Sequence, residues 1–441
     1  MKHTLMPVGE FAARRAKVLA QMQDNSIAFF SANSEVTRSN DTEYLFCQDK
    51  GFYYLTGFNE PDAVLMLVKS DSCHSVLFCL AKDPLAEVWH GRRVGAENAQ
   101  KDYQFDQAFE LAQLEDIAIE HLANKCAVYY CRGHQKAFDT QLMHWLAQVK
   151  GQSRQGIKAP QSLIDVQPLL NELRLIKSSA EIDIMRQVNQ ISGKAHQRAM
   201  KKTHGGVFEY QIEAELLHEF ARHGARHAAY NSIVAGGENA TILHYTDNCD
   251  PLADGELLLI DAGGELAGYA ADITRTFPIN GRFTEQQKAL YQLVLDAQEQ
   301  CINAIKPGQT LAKLNELCIE ILTQGLIDLG ILNGQLTELI ADGACKKYFI
   351  HGLGHWLGLD VHDVGDYQVE NRKQLRAFEP GMVLTIEPGL YFAKDDLDVE
   401  EQWRGIGIRI EDNVLVTDQG HENLTTNAPK SIQEIEQLMN K

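Results

Sequence analysis

The chain has 441 residues, more than one hydrophobic core ordinarily serves, so two domains are expected. Hydrophobic residues make up 44% and charged residues 23%, the mix of a globular enzyme, and no apolar run is long enough to span a bilayer. The net charge of −19 argues against a nucleic-acid partner, which needs clustered Lys and Arg, and is compatible with cationic ligands or metals.

The N-terminus, Met1 to Glu10, lacks the apolar stretch of a secretory leader, which points to the cytoplasm. Nine cysteines without a Cys-x-x-Cys pair predict buried free thiols rather than a disulfide framework or a thiolate zinc site. An amphipathic helix is predicted over Phe11–Met22, followed by short apolar strands at Ile27–Phe30, Ala63–Val68, Ser75–Leu80 and Ala127–Tyr130. This alternation reads as an α/β domain. The polar, punctuated stretch from Gly151 to Pro168 reads as the linker, giving an N-terminal α/β domain of residues 1–172 and a second domain of residues 173–441.

The second domain opens on a capping box, Ser178 with Glu181, ahead of Ile182, Met185, Val188, Ala195 and Ala199 at helical spacing. Further helices are predicted over Glu209–His223, closed by Gly224, and over Thr284–Ile305, with a second capping box at Thr284 and Gln287 and a stop at Pro307-Gly308. Two strand pairs look like distant copies of one another. Leu257-Leu-Leu-Ile-Asp261-Ala-Gly263 precedes Tyr269-Ala-Ala-Asp272-Ile-Thr-Arg-Thr-Phe277; Met382-Val-Leu-Thr-Ile-Glu387-Pro-Gly389 precedes Gly405-Ile-Gly-Ile-Arg-Ile-Glu411-Asp-Asn-Val-Leu-Val416. A pseudo-symmetric site with four carboxylates follows.

Any one of these carboxylates alone is consistent with a strand end capping a turn in solvent. Two matched pairs beside apolar strands are not: an ionised carboxylate there costs several kcal/mol unless a cation compensates it. Alternation along the last strand sets Ile406, Ile408 and Ile410 on one face and Gly407, Arg409 and Glu411 on the other, so Arg409 is expected beside Glu411. It is either a weak exposed ion pair or a clamp that orients ligating carboxylates. Between the two pairs, His351-Gly-Leu-Gly-His355-Trp-Leu-Gly-Leu-Asp-Val-His362-Asp363 sets three histidines among glycines, a density that suggests metal binding or proton transfer rather than satisfied core imidazoles. One histidine with four carboxylates is a hard, oxygen-rich donor set, suited first to Mn²⁺, also to Co²⁺, and workable for Zn²⁺. Two ions held about 3.5–4 Å apart can activate a shared water for attack on an amide.

The spaced motifs Ile260-Asp261-Ala-Gly, Ala271-Asp272-Ile-Thr-Arg-Thr-Phe, His351-Gly-Leu-Gly-His355-Trp-Leu-Gly, Glu387-Pro-Gly-Leu-Tyr and Gly407-Ile-Arg409-Ile-Glu411-Asp resemble those of the pita-bread metallopeptidases. More closely, the whole chain is similar to the aminopeptidase P branch, including Tyr54-Leu-Thr-Gly-Phe58 and Trp89-His-Gly-Arg-Arg93 in the N-terminal domain. The resemblance implies an α/β N-terminal domain before a pseudo-two-fold pita-bread catalytic domain. It implies hydrolysis of the bond between any N-terminal residue and a penultimate proline by a metal-bridging hydroxide.

Asp261, Asp272, His355, Glu387 and Glu411 match the family's five metal ligands, with Asp272 and Glu411 as the bridging pair and two divalent ions, Mn²⁺ first, as cofactor. Glu387 is implied as proton acceptor, and His244, His351, His362 and Arg409 as catalytic groups on the substrate side. Gly354 stands where some relatives carry serine, and the segment Asp366-Tyr-Gln-Val-Glu-Asn-Arg372 is unlike the family, which leaves the subsite beyond proline open. The N-terminal domain is implied to assemble a homodimer or homotetramer and to limit access to the site. Trp89 is either a contact to a neighbouring subunit or a buried indole.

A prolidase, which cleaves only the Xaa-Pro dipeptide, shares the fold and the ligands, so substrate length separates the two. A metal-free creatine-type hydrolase, or a non-catalytic protein-binding module, would have no use for the retained ligands.

Overall fold

In a computed structural model that describes residues 5–369 and 373–440, the chain divides into two compact units, Met1–Arg174 and Leu175–Lys441. Met1 to Thr4 of the N-terminal stretch, and Glu370, Asn371 and Arg372 of the unfamiliar segment, lie outside the described residues. The first unit is built on a six-stranded mixed sheet in the order Gln107–Glu110, Cys73–Cys79, Val64–Lys69, Ser26–Ser31, Ala127–Tyr130, Ser162–Asp165. The four central strands are the apolar runs of the sequence. Their buried Ile27, Phe29, Met66, Val76 and Val128 pack with Leu142 and Trp145 of the helix Lys136–Gly151, the Phe29 and Trp145 rings 5.7 Å apart.

Both edge strands carry too few apolar residues to announce themselves, and Ser162–Asp165 corrects the linker reading of residues 151–168. That stretch pairs in parallel with Ala127–Tyr130, so it belongs to the sheet, and the helix Gln167–Leu175 follows it. Trp89 is 84% exposed on the short helix Pro84–His90, beside the equally bare Leu85 and Val88, which removes the buried-indole reading.

In the second unit the helix Ser179–Lys202 starts at the Ser178 capping box, and its buried face of Ile184, Met185, Val188 and Ala195 follows the expected spacing. Glu209–Arg222 and Glu285–Asn303 are likewise helical, the latter capped by Thr284. Two antiparallel three-stranded sheets carry the repeated pattern. One runs Ile233–Gly236, Leu257–Asp261, Thr274–Pro278; the other runs Val383–Ile386, Asp412–Thr417, Gly420–Asn423. In the first, Asp261 stands opposite Thr274; in the second, Ile386 stands opposite Asp412. Each half therefore sets one carboxylate at the end of a strand or one residue beyond it, Asp261 and Glu387, and another just before the start of its partner, Asp272 and Glu411.

The two halves are joined where Thr274–Pro278 meets Ile406–Arg409. Thr276 Oγ1 donates to Arg409 O (2.9 Å), and Glu411 N donates to Thr274 O (3.1 Å). Arg275, fully buried, donates to Asp412 Oδ1 (2.7 Å) and to Glu411 O (2.6 Å). Lys430, Gln298 and Asn423 complete the Asp412 carboxylate on its other oxygen. Among the described residues, no helix is long and apolar enough to cross a membrane.

Candidate metal centre

Asp261 reaches the site because Leu257-Leu-Leu-Ile260 is buried and fixes the strand centrally, leaving its last residue at the end of the sheet. Asp272 is brought against it by a close approach that only glycine permits: a Cβ on Gly263 would lie 1.8 Å from Ala271 O. The His355 loop runs alongside Val383–Ile386. His355 N donates to Thr385 Oγ1 (3.0 Å), Thr385 N to His355 O (2.8 Å) and Glu387 N to Leu353 O (2.8 Å). A Cβ on Gly354 would sit 2.0 Å from Thr385 O, so loop and strand lie closer here than a serine at that position allows.

These constraints bring all five expected ligands together. The donor atoms of Asp272, His355 and Glu411 lie within 4.8 Å of one another. His355 Nδ1 is 2.9 Å from Trp356 O, a carbonyl that can only accept, so Nδ1 carries the proton and Nε2 faces the carboxylates. From Nε2 it is 3.4 Å to Asp272 Oδ2 and 3.5 Å to Glu387 Oε1. Asp261 joins through Tyr230, whose hydroxyl is 2.5 Å from Oδ1 of both Asp261 and Asp272.

The electrostatics show what the site lacks. Burial pushes Glu387 up to about 7, against the pull of His355 and Arg409. Burial, and then the charges of Asp272, Glu387 and Asp261, hold Glu411 well above the usual carboxylate range. Burial also raises Asp261 in spite of Arg409. Asp272 is lowered, because the hydrogen bond and charge of His355 outweigh its burial. Burial alone would lower His355, yet Asp272 and Glu387 raise it to about 9.

Thus a proton on imidazole and the Arg409 guanidinium are the cations that four carboxylates share. Glu411 Oε1 is moreover buried with no hydrogen-bond partner, while Oε2 accepts from Thr274 Oγ1 (2.7 Å). An orphaned buried acceptor within an oxygen-rich donor set, short of positive charge, fits hard divalent cations.

Arg409 does not form the exposed pair that strand alternation allows. The strand ends at Arg409, and the buried guanidinium turns to Asp261 instead, Nη2 donating to Oδ2 (2.7 Å), Nε to Thr274 Oγ1 (3.1 Å) and Nη1 to Tyr391 OH (2.9 Å). Tyr391 in turn meets His351 Nε2 at 2.7 Å, while His351 Nδ1 donates to Gly352 O. His351 is lowered to about 4, by burial first and then Arg409, and His362 is lowered by burial and by His355, whose ring lies 4.1 Å away. His351 is therefore neutral at pH 7. The exposed His244 is close enough to both rings to contribute to their lowering, so it shares their neighbourhood. Behind His362, its neighbour Asp363 forms a buried ion pair with Lys177 (2.9 Å).

Tyr230, Thr274, Thr385 and Tyr391 are parts of the site that sequence reasoning did not single out. Tyr230 carries no motif; it matters because Ile233, three residues on, stands opposite Asp261, a pairing that becomes visible only in the fold. Tyr391 closes the Glu387-Pro-Gly-Leu-Tyr motif, and Thr274 lies two residues after Asp272, so adjacency was the signal for both.

Comparison with known proteins identifies the family and the fold. Residues 183–418 match the description of metallopeptidase family M24, and residues 11–129 that of the aminopeptidase P N-terminal domain. The chain is 47% identical over 432 residues to the Xaa-Pro aminopeptidase of Escherichia coli, covering 98% of this chain and 97% of that one. It is 36% identical to human Xaa-Pro aminopeptidase 3, covering 97% and 85%. Among solved structures, zinc-substituted E. coli aminopeptidase P in complex with product superposes with a TM-score of 0.96 at 47% identity, covering 99% and 98%. The aminopeptidase PepP of Pseudomonas aeruginosa superposes with a TM-score of 0.97 at 45% identity, covering 99% of each chain.

Proposed function

The chain belongs to metallopeptidase family M24, and from that premise we propose how its site works and which residues perform the work. It is a metal-dependent aminopeptidase, with an N-terminal α/β domain and a pita-bread catalytic domain, that hydrolyses the bond between an N-terminal residue and a penultimate proline. The observation that carries the reading of the site is the partnerless Glu411 Oε1, clustered with Asp272 and His355 and with the half-buried Asp261 and Glu387 beside them.

In this reading Asp261, Asp272, His355, Glu387 and Glu411 would hold two divalent cations. The oxygen-rich donor set favours Mn²⁺; the zinc in the E. coli relative shows that a site of this class also accepts Zn²⁺ there. When bound, the cations supply the charge that keeps the carboxylates ionised, polarise a carbonyl and acidify water.

Glu387 is the group that accepts a proton from the water that attacks the scissile carbonyl and returns it to the leaving proline nitrogen. His351, kept neutral by its burial, and His362 hydrogen-bond the substrate carbonyl and the developing oxyanion, with His244 beside them. Arg409 spans Asp261 and Tyr391, fixing a ligand and the His351 partner in one contact set. A penultimate proline offers no N–H and a fixed φ, so recognition falls on shape and on these carbonyl contacts.

The N-terminal domain, residues 1–172 in this division, serves assembly into a homodimer or homotetramer, which the bare Leu85, Val88 and Trp89 face supports. Nine free thiols, with Cys47, Cys73, Cys126 and Cys249 exposed, support a cytoplasmic location.

The test strips the protein with chelator, restores Mn²⁺ and follows release of the first residue from Xaa-Pro-Yaa, Xaa-Pro and Xaa-Ala-Yaa by mass spectrometry. Metal-dependent cleavage favouring the tripeptide is expected. Preference for the dipeptide would make the protein a prolidase, and no cleavage with any metal would refute the enzymatic reading.

A further inference from the structure

We propose that Glu209 is a positioning residue for His244, acting through Tyr245 and both ends of the loop that carries the histidine; this rests on the reading above that His244 faces the peptide. Glu209 is the first residue of the helix Glu209–Arg222, far from the five ligands in sequence, and it is fully buried. A buried carboxylate needs compensation, and here four donors from one segment supply it. Oε1 accepts from Gly236 N (2.8 Å) and Asn239 Nδ2 (3.1 Å); Oε2 accepts from Tyr245 OH (2.7 Å) and Asp250 N (2.9 Å).

The donors therefore come from the end of the strand Ile233–Gly236, the turn after it, the residue next to His244, and the point where the segment leaves again. Glu209 N also donates to Asp250 O (3.0 Å), and Asn248 pins the same segment by accepting from Val234 N (3.0 Å) and donating to Ser232 O (2.9 Å). The residues on either side of His244 turn inward: Tyr245 is buried with Ile233, Ala235, Ala240, Leu259 and Tyr391, and Leu243 packs against that group. With both neighbours held, His244 is left exposed on a segment without regular secondary structure. Tyr391 is the side chain that also contacts His351 and Arg409, so the packing that anchors the His244 loop is continuous with the substrate-side residues. A loop that must hold one imidazole in a productive place, with no strand or helix of its own, gains that precision from a central buried acceptor.

Tyr245→Phe keeps the ring in its apolar surroundings and removes one of the four donors, leaving Glu209 three partners, so it isolates the role from folding. With Mn²⁺-loaded protein and a Xaa-Pro-Yaa tripeptide, Y245F is expected to lower kcat/KM about fivefold, the scale of one lost hydrogen bond, with the loss divided between kcat and KM as it is in His244→Ala. Bound manganese and the thermal midpoint are expected to stay close to wild type. Glu209→Gln, which presents an amide N–H₂ to groups that are themselves donors, is expected to act in the same direction and more strongly.

In the H244A background, Y245F is expected to change kcat/KM by less than about twofold, since the histidine it positions is gone. Equal losses from Y245F in both backgrounds, no loss in either, or loss of manganese from Y245F would overturn the positioning role. An inactive wild type under the same conditions would instead overturn the peptidase reading on which it rests.

Discussion

Replacing Glu387 by Gln is expected to stabilise the metal-free protein while abolishing catalysis. Burial keeps the proton on Glu387 to about pH 7 in the folded chain, whereas the unfolded chain releases it near the ordinary value of 4.5. The folded state therefore binds more protons across that window, and the side chain costs nothing below pH 4.5, progressively more as pH rises, and its full penalty above pH 7. Moving from 4.5 to about 7 at ~1.4 kcal/mol per pH unit gives about 3–4 kcal/mol. For a unit of this size that corresponds to roughly 6–16 °C in thermal midpoint.

The assay is calorimetry of chelator-stripped wild type and E387Q between pH 4.5 and 8.5, following the transition that added Mn²⁺ moves in the wild type, which identifies the catalytic unit. The upper limit stays below the value of about 9 at which His355 gives up its own proton. The expected result is coincident midpoints at pH 4.5, an E387Q advantage that grows to a plateau above pH 7, and a reduced response of E387Q to Mn²⁺. An E387Q protein less stable than wild type at pH 8, or equally responsive to Mn²⁺, would refute the view that the site is held under electrostatic strain awaiting cations.

Asp412→Ala should destabilise the catalytic unit by about 3–5 kcal/mol, because it leaves the buried Arg275 charge without its carboxylate. The pair Arg275→Met with Asp412→Leu should recover much of that loss in urea unfolding; equal instability of the single and paired variants would disprove the charge argument. Gly263→Ala forces a Cβ into Ala271 O and should separate Asp261 from Asp272, lowering Mn²⁺ affinity at least tenfold by titration calorimetry, a loss of ~1.4 kcal/mol or more; unchanged affinity would show that the close approach is dispensable.

The parts of this fold legible in the sequence are those set by short-range chemistry. Ser178 with Glu181 and Thr284 with Gln287 start helices as capping boxes. The strands that lead into Asp261 and Glu387 are mostly apolar runs, buried up to the carboxylate, which is why they can be read without their partners. Gln107–Glu110 and Ser162–Asp165 are edge strands with mostly exposed side chains, so nothing in their composition separates them from loop. Arg409 is the instructive case. Alternation correctly sets it on the polar face, but its partner was fixed by a strand from the other half, Thr274–Pro278, which lies more than a hundred residues away and brings Asp261 within 2.7 Å. Tyr230 was hidden for the same reason.

That pattern has a physical cause. The site is built across the seam between two similar halves, and each half alone would bury two carboxylates with little compensation. Joining them pools four, with Arg409 as the fixed positive side chain and His355 as a second cation while it holds its proton. One step along the same seam, Arg275, Asp412 and Lys430 form a network in which burial would raise the Asp412 carboxyl but Arg275 and Lys430 drive it far below its ordinary range. The neighbours Glu411 and Asp412 thus face opposite electrostatic conditions, one left short of a partner and the other satisfied on both oxygens. The satisfied residue fixes the backbone, since Arg275 also holds Glu411 O, and so the strained one can keep its place until cations arrive.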